Sequence, residues 1–171
     1  MEVVQDPQVV QCLAGLFKSL LHYFRLYTDT PLMNFSQFLQ FHKDFQVFPD
    51  LISKQRLLRI HNALCEIHQQ NSPGEGSGIN ANLFVEGLSL IAVQLPQLVQ
   101  QDNLTLIHKV LYLAERMNHG PGAEKAARHS PNNSHHSWDL LFYLREPFAQ
   151  YLADLQLSPK QPPLDFDQLL F

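Results

Sequence analysis

Five phenylalanines, Phe35, Phe38, Phe41, Phe45 and Phe48, recur every three or four positions within residues 33–48. That period places them along one side of a helix. Each ring contributes roughly 1.5–3 kcal/mol only when something covers it, so a helix this loaded needs partners close by. The nearest candidate lies upstream, where Val10, Leu13, Phe17, Leu20, Phe24 and Tyr27 keep the same spacing behind Pro7, a residue tolerated in a helix's first turn. The spacing predicts a long first helix, a break at residues 28–32, and a second helix capped by Asn34 and stopped by Phe48, ahead of Pro49.

A second arrangement of the same kind follows. Ser53 caps a helix whose inward stripe is Leu57, Ile60, Leu64 and Ile67. Residues 69–78 form a polar loop, and Asn80 caps a fourth helix carrying Leu83, Phe84, Leu88, Ile91 and Leu95 before Pro96. Ile79 precedes Phe84 by the interval that separates Met33 from Phe38. Helix, short loop, aliphatic residue, then a helix with an early phenylalanine is the layout of an EF-hand. Two copies predict an EF-hand-like pair of four helices, with Phe38 and Phe84 facing a shared core.

Asp102 or Asn103 opens a fifth helix through Leu104, Ile107, Leu111, Ala114 and Met117, which closes a domain over residues 7–117. Residues 118–136 hold Gly, Pro, Ser, Asn and the histidines His119, His129, His135 and His136 without an apolar period, and read as a flexible loop. A sixth helix over residues 137–157, capped by Ser137 and interrupted at Pro147, brings Trp138, Leu141, Phe142, Phe148, Tyr151, Leu152 and Leu155 onto the core. A proline-rich tail occupies residues 158–171. The fold class is therefore all-α: an EF-hand-like helical pair extended by two C-terminal helices and that tail.

At 171 residues and 45% hydrophobic content the chain suits one ordinary core with tails. Its net charge of −4 and lack of basic runs argue against nucleic-acid binding. Apolar stretches fall well short of the ~20 residues a membrane-spanning helix needs, and the acidic start does not look like a leader peptide. Cys12 and Cys65 read as buried, reduced thiols, so the expected setting is cytoplasmic.

A calcium loop takes oxygens from positions one to nine and a bidentate glutamate at twelve. With Met33 at position eight, position twelve is Gln37, a neutral amide, and Asp29 is the one carboxylate before it. In the second unit position twelve is Leu83 and Glu75 is the one acid. Neither loop gathers the charge calcium requires, so no metal and no cofactor is expected.

The segments Phe24 to Tyr27 (FRLY), 37–47 (QFLQFHKDFQV), the helix after Ser53, and 79–92 (INANLFVEGLSLIA) resemble the EF-hand-like core of the tubulin polymerisation-promoting protein family over roughly residues 13–95. In that family a segment like Lys43-Asp44-Phe45-Gln46-Val47 closes the second helix and an aliphatic-to-Phe segment opens the fourth. The family's glycine-rich C-terminal region has no counterpart here. The resemblance implies a non-enzymatic interaction module with tubulin or axonemal protein partners, at the cytoskeleton or in the cilium. Two other roles fit the residues: a calcium- or zinc-responsive regulator, and an accessory subunit of another multiprotein complex.

Catalytic residues are not evident. His22, His42, His61, His68 and His108 fall within helices, expected at core edges and without a nucleophile to activate. Asp44, Asp50 and Glu66 lie on or beside helix ends, Glu86 reads as solvated, and the glycine-rich residues 73–78 lack the continuation of a phosphate loop. The histidines of residues 118–136 read as a solvated loop rather than a zinc site. What remains is the terminal segment, where Leu164, Phe166, Leu169, Leu170 and Phe171 are too apolar for a plain tail. They are the candidate partner-binding residues, docking either on the chain's own core or in a partner's groove.

Overall fold

The computed structural model describes residues 7–96, 105–118 and 120–128. The described residues form six helices and no strand: α1 (Pro7–Tyr27), α2 (Phe35–Asp44), α3 (Lys54–Asn71), α4 (Ala81–Val93), α5 (Leu106–Asn118) and α6 (Pro121–Arg128). The predicted helix over 137–157, the segment from Leu164 to Phe171, the Cys12 side chain and the capping role of Asp102 or Asn103 lie outside what is described. No described helix is long and apolar enough to cross a membrane.

Three of the N-termini form as their capping residues dictate. Asn34 Oδ1 accepts from the Gln37 amide while Gln37 Oε1 accepts from the Asn34 amide, both at 2.9 Å, so two otherwise orphaned donors are satisfied reciprocally. Ser53 accepts from the Arg56 amide at 3.3 Å, and Asn80 from the Leu83 amide at 2.9 Å.

The second helix stops earlier than Pro49 alone would require. It ends at Asp44 because Gln46 adopts a left-handed conformation, φ 59°. The chain then folds back on itself: the Val47 amide donates to the His42 carbonyl at 2.9 Å and the Gln46 amide to the Lys43 carbonyl at 3.1 Å. This pair of bonds is a Schellman stop, in which the residue after the C-cap is usually glycine. Here it is glutamine, and Val47 is fully buried behind it. The third helix, by contrast, runs on through Asn71, so that the polar loop is Ser72 to Gly78.

Aromatic rings from three helices make the core. Phe41 meets Tyr27 at 5.4 Å and Phe84 at 4.8 Å edge-on, and Phe45 at 4.4 Å. Tyr23 covers Phe45 at 5.0 Å, and Phe24 reaches Phe84 at 5.5 Å. Phe38 and Phe84 are both fully buried. Around this cluster α4 packs against α1, α3 and α5.

Residues 118–136 are not simply a loop. Pro121–Arg128 is helical and packs against α1, α2 and α5, with Ala123 and Ala126 buried. It docks by close approach: a Cβ added to Gly122 would stand 2.5 Å from the Phe45 ring. His22 Nε2 lies 3.2 Å from the Ala126 carbonyl, and Lys125 sits 4.5 Å from the Tyr27 ring centre and 3.5 Å from Asp44 Oδ2. Such contacts use glycine, alanine and polar residues, and no large apolar side chain marks the helix in the sequence.

Four of the five helical histidines lie deeper than core edges, while His22 is half-buried as expected. His42, His61, His68 and His108 are buried. His42 is wholly enclosed between Phe38 at 4.4 Å and Phe41 at 5.0 Å, and among the described residues neither ring nitrogen finds a hydrogen-bond partner. Burial pulls its pKa down from 6.5 to about 3. Between those values an unfolded chain binds a proton that the folded chain refuses, so the stability this group contributes is present above pH 6.5 and is lost as pH falls toward 3. The slope is at most about 1.4 kcal/mol per pH unit.

Gln46→Gly is expected to raise unfolding free energy by about 0.5–1 kcal/mol in urea denaturation, since glycine takes the left-handed conformation without strain. His42→Leu is expected to flatten the stability-versus-pH curve between pH 6 and pH 4, measured by denaturation at a series of pH values, because the proton-linked loss goes with the imidazole.

Candidate functional site in the paired loops

Two loops meet at the end of the helical core. The Met33 amide donates to the Ile79 carbonyl at 2.8 Å and the Ile79 amide to the Met33 carbonyl at 3.0 Å, an isolated antiparallel bridge with both side chains fully buried. The approach is close enough to require glycine at position 78. Its φ is 147°, and a Cβ there would stand 2.9 Å from Leu32 Cβ and 3.0 Å from the Met33 carbonyl oxygen.

The first loop is held shut by hydroxyls. Thr28 Oγ1 lies 3.2 Å from the Thr30 carbonyl, 3.1 Å from Thr30 Oγ1 and 3.2 Å from the Leu32 carbonyl, and Thr30 Oγ1 donates to the Leu32 carbonyl at 2.7 Å. Two protons therefore draw together oxygens of the kind a cation would otherwise gather. Gln37, the residue at position twelve, spends its side-chain oxygen on the Asn34 cap. Asp29 is exposed.

In the second loop Leu83 is buried and Glu75 Oε2 lies 3.7 Å from His68 Nε2. Among the described residues no three of His, Cys, Asp or Glu are gathered as a metal ion would need. Open grooves flank the bridge on both sides. One, about 630 Å³, lies between Thr30, Leu32, Gln37, Glu75 and Ser77; the other, about 430 Å³, between Phe35, His61, Cys65, Gln69 and Gly78.

The second groove holds a contact that the sequence reading passed over. His61 and Cys65 stand four apart on α3, and Cys65 Sγ approaches His61 Nδ1 to 3.5 Å. His61 Nε2 faces the Met33 carbonyl at 3.2 Å. The spacing of a histidine and a cysteine one helical turn apart was the available signal. A thiol beside an imidazole oriented by a third group is the arrangement of an activated nucleophile.

The geometry does not complete it. Cys65 Sγ lies nearly as close to Nε2, at 4.0 Å, which sets the sulfur over the ring face and away from the Nδ1 lone pair. Burial pushes the Cys65 thiol up, with a hydrogen bond from the Gly78 backbone opposing, and it lowers the His61 pKa, with the Met33 carbonyl opposing. Both groups are thus held neutral, as a packing contact between α3 and the bridge.

The acids serve structure in the same way. Asp44 accepts from the Tyr27 hydroxyl and from Gln40 Nε2, each at 2.7 Å. Burial, reinforced by that carboxylate, raises the Tyr27 hydroxyl pKa. Glu86 is half-buried where a solvated side chain was expected, and burial pushes its carboxyl up. Leu164, Phe166, Leu169, Leu170 and Phe171, together with His119, His129, His135 and His136, fall outside the described residues.

Compared with protein-family models, curated proteins and solved structures, the chain matches none of them.

Removing the Thr28 hydroxyl tests the loop closure. Thr28→Val keeps the side-chain shape but removes the acceptor of the Thr30 amide and a donor to the loop carbonyls, so a loss of about 1–2 kcal/mol is expected in chemical denaturation. Asp29→Asn, at the exposed next residue of the same loop, is expected to change stability by less than about 0.5 kcal/mol.

Proposed function

We propose that this chain is an EF-hand-like helical pair that has exchanged cation chemistry for hydroxyl closure, and that it works as a non-enzymatic interaction module within a larger assembly. The observation that carries the reading is the Met33–Ile79 bridge. Both residues are the ones the sequence aligns at the eighth loop position, where paired EF-hand loops join. The threonine network supports the same reading, because it supplies internally the closure that calcium supplies in a working loop.

A pair built this way has no ligand-driven opening to offer. Sensor EF-hands expose a groove when calcium arrives; a loop tied by its own hydroxyls keeps one conformation. Its use then lies in presenting a fixed surface to other proteins. The microtubule or axonemal setting comes from the resemblance of residues 37–47 and 79–92 to the tubulin polymerisation-promoting protein family. The Schellman stop at Lys43–Val47 supports that likeness with a physical role for the shared segment.

Co-sedimentation with stabilised microtubules tests the setting. The full chain at micromolar concentration is expected in the pellet with microtubules and in the supernatant without them. Recovery in the supernatant in both cases, with circular dichroism showing a folded helical protein, removes the microtubule assignment.

A further inference from the structure

The first two turns of α3 carry cations where a helix does not favour them. Lys54 is the first helical residue, Arg56 and Arg59 follow, and the first turn holds no acid. The amino end of a helix bears partial positive charge, so these side chains oppose the local field. All three are exposed, and among the described residues Lys54 and Arg59 form no ion pair. Arg56 donates to the Gln94 carbonyl at 2.9 Å, which ties the patch to the end of α4. Between them sits Leu58, the one large hydrophobic side chain exposed among the described residues, at 39%.

A surface with three cations around one exposed leucine fits a segment that alternates carboxylates with apolar side chains. The sequence contains such a segment. Asp165 and Asp167 are the most closely spaced acids in the chain; they alternate with Leu164 and Phe166 and precede Leu169, Leu170 and Phe171, with no basic residue after Lys160. Lys54, Arg56 and Arg59 are in turn the chain's densest basic group. Residues 129–163 intervene, enough chain to reach any face of a domain this size.

We propose that the segment from Leu164 to Phe171 docks in cis on the amino-terminal half of α3, Asp165 and Asp167 facing Lys54 and Arg59 while an apolar neighbour covers Leu58. Charge complementarity selects this face over the rest of an acidic molecule, and the leucine fixes where along it the segment settles. The inference stands apart from the microtubule reading, since it needs only the chain itself.

The test uses the full chain and the backbone amide resonances of residues 54–59. Asp165→Asn with Asp167→Asn is expected to shift those resonances, and Lys54→Gln with Arg59→Gln to shift those of residues 164–171. Exchanging the charges, Lys54→Glu and Arg59→Glu with Asp165→Lys and Asp167→Lys, is expected to restore most of the original pattern, and raised salt to weaken it. All four positions changed are exposed or outside the described residues, so the fold survives and circular dichroism verifies it. Resonances of 54–59 that ignore the aspartate substitutions overturn the proposal. Shifts that grow with protein concentration overturn docking in cis in favour of pairing between copies.

Discussion

The structure depends on what surrounds the Phe41 ring. Tyr27 from α1, Phe45 at the C-cap of α2 and Phe84 from α4 close on it at centroid distances of 5.4, 4.4 and 4.8 Å, so one side chain joins the first helix-loop-helix unit to the second. The two edge-on pairs, with Tyr27 and Phe84, are worth roughly 0.5–1.5 kcal/mol each beyond the area they bury. The Schellman stop at Gln46 follows from the same demand. Extending α2 toward Phe48 would carry Phe45 and Val47 on around the helix, whereas the reversal lets both turn into the core, where they are fully buried. Phe45 in turn supplies the surface on which Gly120 and Gly122 bring in α6.

The aromatic core sets the distance between the loops, and the bridge then needs little else. With α1, α2 and α4 fixed, Met33 and Ile79 meet with paired backbone bonds, and Gly78 leaves room for the contact. Threonine hydroxyls close the first loop, while His61 and Cys65 pack against the bridge from α3. A calcium loop draws its rigidity from a bound charge; this one draws it from neutral hydrogen bonds at a level of about 1 kcal/mol each.

Much of this was legible in the residues. The phenylalanine period, the caps at Asn34, Ser53 and Asn80, and the match between Met33 and Ile79 are local signals, and the helices formed where they pointed. What was hidden depended on contacts between distant segments. Gln46 carries no mark of a left-handed residue, because glycine usually holds that position. The helix at Pro121–Arg128 buries alanines and approaches through glycines, so no large apolar side chain marks it. His42 reads as an amphipathic edge residue until Phe38 and Phe41 are seen to enclose it. The His61–Cys65 spacing was visible, but only the two sulfur–nitrogen distances show that the pair is packed and not poised for chemistry.

The central claim is that the paired loops are complete without an ion. Thermal unfolding of the full chain in millimolar calcium and in excess chelator addresses it most directly, since any ion that binds the folded state alone raises the midpoint by mass action. Midpoints that coincide within error are expected, with the same helical signal in both buffers. A midpoint several degrees higher in calcium would contradict it, because the oxygens assigned to hydroxyl closure would then be serving a cation.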